Sequence, residues 1–324
     1  MANATYWGRY YKLVIQPPGG EEMVFETKQG KPSMDIKFDV TYARGQLARE
    51  GTVSILGLGY DHIHTFLELA AMARGKAMSK LAKLSLEVGY FSAANTVEVL
   101  NGFVWYGSVT SPPNMWLTLK VSEYNPIGNK LVDITDDKEM KAAEYLNYVC
   151  EQFTSAEGVD FDWMDYTEER LVETGDTMVK GISFPKKVSL HDCLQKLTKE
   201  LSPKLQFIFR TYSGESARNY RIIEIHDKDA DKVVDDTIDV DAEHGLLSVT
   251  GIDAVSGCVT TFIDSRGSDD LCHLRLRSDL NPQANGTYYI TKKSYKGHFM
   301  GPEWYMQYYC SARDNGDEDE EDEE

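Results

Sequence analysis

The stretch "DIKFDVTYARGQLAREGTVSILGLGYDHIH" spans residues 35–64 and decides the fold class. Ile36, Phe38, Val40 and Tyr42 alternate with polar residues, which is the period of a β-strand with one buried face. A polar turn, a second β-rich run and a helix-like run follow. The stretch therefore predicts two half-polar strands that form a wall of a β-structure, and then a helix.

The same strand period recurs on both sides of this stretch. The predicted strands of the N-terminal part are "YYKLVIQP", "MDIKFDVTYA", "EGTVSILGL", "KLSLEVGYF", "TVEVLNGFVWYGSV" and "MWLTLKVSEY". Residues 61–84 interrupt them with a run rich in Ala, Leu, Met and Lys, which favours helix, and Gly75 is expected to divide it into two short helices. The order predicts a small barrel or rolled sheet with a helix at its side.

The middle of the chain changes to a mixed α/β pattern. Asp136 and Glu139 resemble a capping box, which predicts a helix beginning there. Ser189 is the expected N-cap of a second helix, and two strands, "LQFIFRTY" and "YRIIEIHD", follow it. The apolar face of the second helix is predicted to consist of Leu190, Cys193, Leu194 and Leu197.

The last part of the chain returns to β-structure. We therefore predict a mainly β fold with an α+β insertion, in which two β-barrel-like modules flank a small α/β segment. The predicted domains are an N-terminal barrel-like domain (1–128, with the helical insert 61–84), an α/β middle domain (129–228), a C-terminal barrel-like domain (229–312) and a disordered acidic tail (313–324).

Charge is distributed unevenly along the 324 residues. The net charge is −18, and residues 314–324 hold nine acidic residues and no basic residue, so the other half of the net charge belongs to the rest of the chain. A dense acidic run repels itself and stays solvated. An acidic body disfavours tight binding to nucleic-acid phosphates.

The cysteine spacing, the N-terminal residues and the lengths of the apolar runs give no sign of disulfides, a secretory signal or a membrane-spanning helix. The five cysteines are widely spaced and form no C-x-x-C pair, so we expect buried free thiols. The first residues lack the basic start and apolar core of a secretory signal. No apolar run approaches the length of about 20 residues that a membrane-spanning helix needs, so membrane insertion is not expected.

Candidate metal and catalytic residues fall short of a site. The acidic run 227–236 resembles a calcium loop, but Lys232 and Ile238 occupy positions where that loop needs Gly and Glu. His62 and His64 are too isolated for a metal triad. No metal site and no cofactor are therefore predicted.

Catalytic motifs are equally scarce. The acids Asp160, Asp162 and Asp165 could supply a carboxylate pair for glycoside cleavage. The sequence contains no G-x-S-x-G, Walker loop or G-x-G-x-x-G. We therefore predict that the protein is not an enzyme.

Two stretches resemble a known family. The first runs from residue 35 through "VGYF" to "NGFVWYGSV" and is similar to the N-terminal barrel of tail and baseplate hub proteins of tailed bacteriophages. The second contains "HGLLSV", "NGTYYI" and "SYKGHFMGPEW" and resembles the C-terminal barrel of the same hubs. The middle helices resemble the inserted α/β segment of the family. The helical insert 61–84 and the acidic tail depart from the pattern.

The resemblance implies a structural function. Hubs of this family are homotrimers in which two similar barrels per chain form a pseudo-sixfold ring, which joins a sixfold tail tube to a threefold central spike. The implied partners are other copies of the chain, the tail tube protein and a spike or tail-tip protein, with DNA passing through the ring without specific binding. The implied location is the virion tail, after assembly in the host cytoplasm.

The residues singled out by the resemblance are glycines and aromatics. The glycines are expected to permit positive φ at turns or bulges, and they are Gly57, Gly89, Gly102, Gly107, Gly286, Gly297 and Gly301. The aromatics are expected in the core or at the rim of the barrels, and they are Tyr90, Trp105, Tyr288, Tyr295 and Trp304.

Two other functions stay open at this point. A receptor- or carbohydrate-binding tail protein would show an exposed aromatic patch around residues 304–309 or at Trp105 and Tyr106. A peptidoglycan hydrolase would use acids among Asp160, Asp162 and Asp165. The acidic tail is expected to be a solubilising end, or else a docking peptide for a basic partner.

Overall fold

The computed structural model describes most of the chain. The described residues are 8–43, 48–71, 77–91, 96–123, 131–134, 139–158, 160–165, 178–179, 184, 186–201, 205–213, 219–227, 237–251, 256–264 and 273–312. Within them, no helix is long and apolar enough to cross a membrane. The acidic tail and most of the acidic run 227–236 lie outside the described residues.

Strands dominate the described part of the chain. The α-helices are α1 (Tyr60–Ala71), α2 (Ala142–Glu157) and α3 (Leu190–Leu201). The strands are β1 (Arg9–Gln16), β2 (Met23–Glu26), β3 (Asp35–Ala43), β4 (Glu50–Leu56), β5 (Lys83–Tyr90), β6 (Val97–Val109), β7 (Trp116–Ser122), β8 (Met140–Lys141), β9 (Asp160–Asp165), β10 (Met178–Val179), β11 (Leu205–Ser213), β12 (Asn219–Asp227), β13 (Thr237–Val240), β14 (Leu246–Thr250), β15 (Ser256–Thr261), β16 (His273–Leu276), β17 (Gly286–His298) and β18 (Trp304–Ala312). The predicted mainly β fold with a small α-containing segment is confirmed.

Thirteen of these strands form one sheet. Its order is β14-β15-β18-β17-β3-β4-β7-β6-β5-β1-β2, with β16 joined to β17 and β13 joined to β16. The first part of the stretch 35–64 forms the β3–β4 hairpin in the middle of this order. Phe38 lies opposite Val53, and Ile36 lies opposite Ile55. The four alternating residues of β3 are all buried, as their period predicts.

Strand β17 joins the N-terminal and C-terminal parts of the chain. Its second half pairs antiparallel with β3, so that Tyr295 lies opposite Val40 and Lys296 opposite Asp39. On its other edge β17 pairs with β18 from Tyr288 to Gly297. The two predicted β modules therefore share one continuous sheet and one hydrophobic core. The domain boundaries near residues 128 and 228 stay predictions.

The helical insert differs from its prediction. Helix α1 packs against β6, and its buried side chains are Ile63, Phe66 and Ala70. The predicted second helix is only a single 3-10 turn, Met78–Lys80, within the described residues. The amide of Met78 donates to the buried carboxylate of Glu157 at 2.8 Å. This contact ties the insert to the end of α2 in the middle segment.

The middle segment has its own core. Helices α2 and α3 pack with the three-stranded sheet β11-β12-β9, in which β9 is parallel to β12. Ser189 caps α3 as predicted, because its hydroxyl accepts from the amide of Asp192 at 3.2 Å. The predicted apolar face of α3 is confirmed, since all four of its residues are buried.

The predicted start of α2 is wrong. The helix begins at Ala142 and has Lys141 as its N-cap, while Met140 and Lys141 form the short strand β8. Glu144 accepts from the amide of Lys141 at 3.3 Å and so performs the role that the prediction assigned to Glu139. Pairing of β8 with β10 holds the preceding residues extended and shortens the helix.

Candidate assembly surface

One side of the continuous sheet is polar across both halves of the molecule. Side chains directly opposite each other on paired strands share a face of the sheet. One such line of cross-strand partners runs from Lys296 on β17 through Asp39 on β3 and Thr52 on β4 to Lys120 on β7. We call this the polar face. The same pairing also places Ala43, Leu56 and Ser122 on this side. Its other members on β3, β4, β7, β17 and β18 are Asp35, Lys37, Asp39, Thr41, Glu50, Thr52, Ser54, Trp116, Thr118, Lys120, Lys292, Ser294, Lys296, His298, Tyr305, Gln307 and Tyr309.

The lysines of the polar face lie over aromatic rings or beside a carboxylate. The Lys37 ammonium is 4.1 Å from the Trp116 ring centroid, and the Lys292 ammonium is 4.8 Å from that of Tyr309. Lys296 lies 3.9 Å from the Asp39 carboxylate. These contacts hold the positive charges close to the sheet surface.

The fourth lysine follows the same pattern on β7. The Lys120 ammonium lies 5.5 Å from the ring centroid of Trp105 and 5.3 Å from that of Tyr106. The carboxylates of the face are partly engaged already, since Asp35 bonds the His298 ring at 2.9 Å. The face therefore carries four lysines and three carboxylates. Since Lys296 pairs with Asp39, three lysines remain against Glu50, the one carboxylate for which the described residues show no side-chain partner on the face.

The chain contains an internal structural repetition in its two longest strands. β6 and β17 each have 13 residues and each leads into a hairpin, with β7 and β18 respectively. Phe103 of β6 lies opposite Lys83 of β5 and Ser122 of β7, so these two strands occupy opposite edges of β6. In the same way β16 and β18 occupy opposite edges of β17 at Tyr288 and Tyr289.

The repetition is incomplete at one pair of edges. In β17, the edge opposite β18 pairs first with β16 and then with β3. In β6, the edge opposite β7 pairs with β5 up to Phe103, and its last residues, 106–109, have no strand partner there in the described chain. β14 corresponds to β3 as the first strand of a hairpin, yet it pairs only with β15.

These two edges expose apolar side chains. Tyr106 and Val109 on β6 are 45% and 40% exposed, and Leu247 on β14 is 45% exposed. Helix α1 covers the core side of β6, where a Cβ at Gly107 would lie 3.0 Å from that of Ala70. An exposed edge strand with apolar side chains is a template for pairing with another chain.

Close packing, more than positive φ, explains the predicted glycines. Of the seven, Gly57 alone has a positive φ, +90°. A Cβ at Gly102 would lie 2.6 Å from the backbone carbon of Ser122, and one at Gly297 would overlap the Phe38 ring. A Cβ at Gly301 would overlap the His298 ring. Gly286 has room for a methyl group, with its nearest neighbour at 3.7 Å.

The predicted aromatics divide between the core and the surface. Tyr90, Tyr295 and Trp304 are buried, whereas Trp105 and Tyr288 are half-buried. The Trp304 indole N–H donates to the carbonyl of Gly89 at 3.3 Å, and its ring meets that of Phe38 edge-on with centroids 5.2 Å apart. Gly89 and Trp304, 215 residues apart, are thus in direct contact.

Arg9 is a structural residue that the sequence did not reveal. Its guanidinium donates to the carbonyls of His298 at 2.8 Å and Phe299 at 3.0 Å, and also to that of Gly301. It also lies over the Trp304 ring, 5.5 Å from the centroid. Burial lowers the pKa of Arg9 from its usual value. The first strand is therefore fastened to the β17–β18 turn.

The candidate catalytic and metal residues do not form a described site. Asp160 and Asp162 lie on β9, and the Asp162 carboxylate accepts from the amide of Trp163 at 2.8 Å. The side chain of Asp165 lies outside the described residues. His62 and His64 are exposed on α1. Among the residues that the structure describes, no group of three or more His, Cys, Asp or Glu side chains is placed to hold a metal ion.

Four of the five cysteines are described, and all four are free thiols. Cys150, Cys193 and Cys310 are buried, while Cys258 is half-buried on β15. Burial raises the pKa of Cys150, Cys193 and Cys310 to about 12. The thiolate is the reactive form, so these three thiols are shielded from modification.

We expect the cysteines to react unequally with iodoacetamide at pH 8. A pKa near 12 lowers the thiolate fraction about a thousandfold relative to an ordinary thiol, so Cys150, Cys193 and Cys310 should stay unmodified. Burial also raises the pKa of Cys258, but this thiol is only half-buried and should react. Peptide mass spectrometry on native and urea-unfolded protein measures this. Equal labelling of Cys258 and Cys310 in the native protein would contradict the burial.

The fold is that of solved tail proteins. It is similar to a tail protein from Neisseria meningitidis MC58, with a TM-score of 0.53, 8% identity, and coverage of 94% of this chain and 97% of that one. It is also similar to the 43 kDa tail protein of prophage MuSo2 from Shewanella oneidensis, with a TM-score of 0.52, 8% identity, and coverage of 93% and 96%. At such identities the similarity establishes the shared fold.

The family follows from the sequence itself. Residues 21–191, more than half of the chain, match the family described as baseplate hub gp41. The chain therefore belongs to the baseplate hub gp41 family and is a structural protein of the phage tail baseplate. No curated protein sequence matches it at a significant level. The resemblance predicted from the glycine and aromatic patterns is confirmed.

Proposed function

We propose that three copies of the chain form a hub ring that surrounds the DNA-ejection channel. The ring adapts a sixfold tail tube on one side to a threefold central spike or tail-tip protein on the other. The work is structural and non-enzymatic, it is done in the virion, and the ring assembles in the host cytoplasm. Membership of the baseplate hub family supports this proposal.

The observation that carries the proposal is the incomplete repetition in the sheet. Within one chain, β3 pairs with the edge of β17. The corresponding strand β14 and the corresponding edge of β6 have no such partner in the described residues. If β14 of one copy pairs with β6 of the next copy, each interface between copies repeats the β3–β17 pairing found within one copy. Contacts of this head-to-tail kind form a ring when the rotation between successive copies closes, and the proposal is that it closes after three copies.

The number of units follows from the symmetry of the neighbours. Two repeated units per chain give six in a ring of three, which match a sixfold tube while the three whole chains match a threefold spike. The polar face runs over both units and would then line the channel. Any contact of its lysines with passing DNA would be to phosphates, which carry no sequence information, so the contact would be non-specific.

The first test is the mass of the purified chain by light scattering, alone and co-expressed with neighbouring tail proteins. We expect three times the chain mass of 36.6 kDa in at least one of these conditions. A monomer in every condition would overturn the ring.

We expect single edge variants to abolish the ring. Leu247→Lys on β14, or Val109→Lys on β6, places a charge in the pairing edge, and either change should leave monomers because every interface contains one of each edge. Val24→Lys on β2 is the matched control, since Val24 is 50% exposed at the far end of the sheet and should leave the trimer intact.

A mixture of the two edge variants tests the direction of pairing. A Leu247→Lys chain retains an intact β6 edge, and a Val109→Lys chain retains an intact β14 edge. These two intact edges can pair once, and the two remaining edges both carry the added lysine, so no second interface forms. We expect a 1:1 dimer. A mixture that regains the trimer, or stays monomeric, would contradict the β14–β6 interface.

The described residues bear differently on the two patches expected of a glycan-binding protein. Trp304 and Tyr308 are buried at 4% and 1% exposure, which disfavours a patch at residues 304–309. Tyr106 is 45% exposed beside the half-buried Trp105, so this second patch keeps receptor binding as the second candidate function. The acids named for a peptidoglycan hydrolase, Asp160 and Asp162, lie on β9, and this strand pairs with β12.

A further inference from the structure

We propose that the acidic segment 313–324 binds the polar face of its own chain through Lys37, Lys120, Lys292 and Lys296. The segment follows directly after Ala312, the last residue of β18, and its one basic residue, Arg313, precedes the first acid, Asp314. The outward side chains of β18, among them Tyr305 and Tyr309, belong to the polar face. The acidic residues therefore start beside the lysines and need no long connection to reach them.

The charges of the segment and the face are complementary. Residues 314–324 hold nine acidic residues and no basic residue. The polar face carries four lysines on a chain whose net charge is −18. Two of the acids on the face, Asp35 and Asp39, already contact His298 and Lys296. With four lysines and three carboxylates, the face has a small net positive charge on an acidic protein, at the place where the acidic segment begins.

The distances are within reach of the segment. Lys292 lies opposite Tyr309, three residues before Ala312, so it is about 10 Å from the start of the segment. Lys296 lies four residues further along β17, which adds about 13 Å. Lys120 lies three strands beyond Lys296, which adds about another 14 Å. A twelve-residue segment spans up to about 40 Å when extended.

Tethering strengthens an otherwise weak contact. Single exposed pairs of Lys and Asp or Glu are weak and are screened by salt. A segment joined directly to the face acts at an effective concentration of the order of millimolar or higher, so several weak pairs suffice. In the ring proposed above, the three segments would compete with DNA phosphates for the channel lysines, but the contact itself requires only a single chain.

The test is zero-length carbodiimide cross-linking of the full chain at about 20 mM salt, where the Debye length exceeds 20 Å. Peptide mass spectrometry then locates the lysines joined to residues 314–324. A mixture of 15N-labelled and unlabelled protein separates cross-links within a chain from those between chains. We expect cross-links within the chain to the four lysines, and their loss at 0.5 M salt.

Two matched pairs of lysine variants provide the control. Lys292→Gln with Lys296→Gln should reduce the yield of segment cross-links at least about threefold, because the two lysines nearest the segment are gone. Lys28→Gln with Lys31→Gln removes the same charge from an exposed turn and should leave the yield unchanged.

Three outcomes would overturn the inference. They are cross-links spread evenly over exposed lysines, cross-links only between labelled and unlabelled chains, and the absence of any segment cross-link. None of these results depends on whether the chain forms a trimer, which the light-scattering mass decides separately.

Discussion

Gly102→Ala is expected to lower the free energy of unfolding by about 3 kcal/mol, because the added methyl group meets backbone that cannot move aside. A Cβ at Gly102 would lie 2.6 Å from the carbonyl carbon of Ser122 and 2.8 Å from the amide nitrogen of Glu123. Gly102 also sits where β6 passes from its pairing with β5 to its pairing with β7. Urea unfolding followed by circular dichroism measures the change.

Gly286→Ala is the matched control for this prediction. Gly286 also lies in a 13-residue strand, but its nearest neighbour to an added Cβ is the Tyr288 ring at 3.7 Å, an ordinary contact. We expect a change within about 0.5 kcal/mol. Equal destabilisation by the two substitutions would show that the loss of glycine itself, and not the contact with β7, is the cause.

Arg9→Ala is expected to destabilise the protein by about 2–3 kcal/mol, because it removes a cation that satisfies several carbonyls at once. His298, Phe299 and Gly301 all accept from its guanidinium. Without it the first strand loses its attachment to the β17–β18 turn. Hydrogen exchange with mass spectrometry should show faster exchange in residues 286–312, and urea unfolding gives the overall change.

Two further variants of arginine sharpen this test. Arg9→Lys keeps the charge but cannot reach three carbonyls with one planar group, so it should recover less than half of the loss. Arg275→Ala removes an exposed arginine that pairs with Asp239 at 3.4 Å and should cost less than about 0.5 kcal/mol. Protection of residues 286–312 that is unchanged in Arg9→Ala would contradict the fastening role.

The local pattern predicted much of the secondary structure. The alternation in β3 depends only on which residues are apolar, and all four of its predicted core residues are buried. The cap and buried face of α3 were predicted because a Ser N-cap followed by apolar residues at helical spacing acts over only one or two turns. The family was recognisable for a similar reason, since its glycines and aromatics recur at short range.

Local signals misled where a neighbouring strand intervened. Asp136 and Glu139 have the spacing of a capping box, but β8 pairs with β10 and delays the start of α2 to Ala142. The expectation of positive φ at the glycines held for Gly57, whereas Gly102 and Gly297 are required by the backbone or ring that approaches them. Those approaching groups belong to other strands, which a reading of one segment cannot include.

By itself, the sequence determined the strand-rich fold class, the α/β segment in the middle, the concentration of acidic charge at the end and the resemblance to baseplate hubs. These follow from periods, propensities and charges that act over a few residues. Only the tertiary structure decided that β17 joins β3, that Arg9 fastens a turn 289 residues away, and that one polar face spans both halves of the molecule. Such contacts depend on packing among segments distant in sequence, and the composition of either segment does not specify its partner.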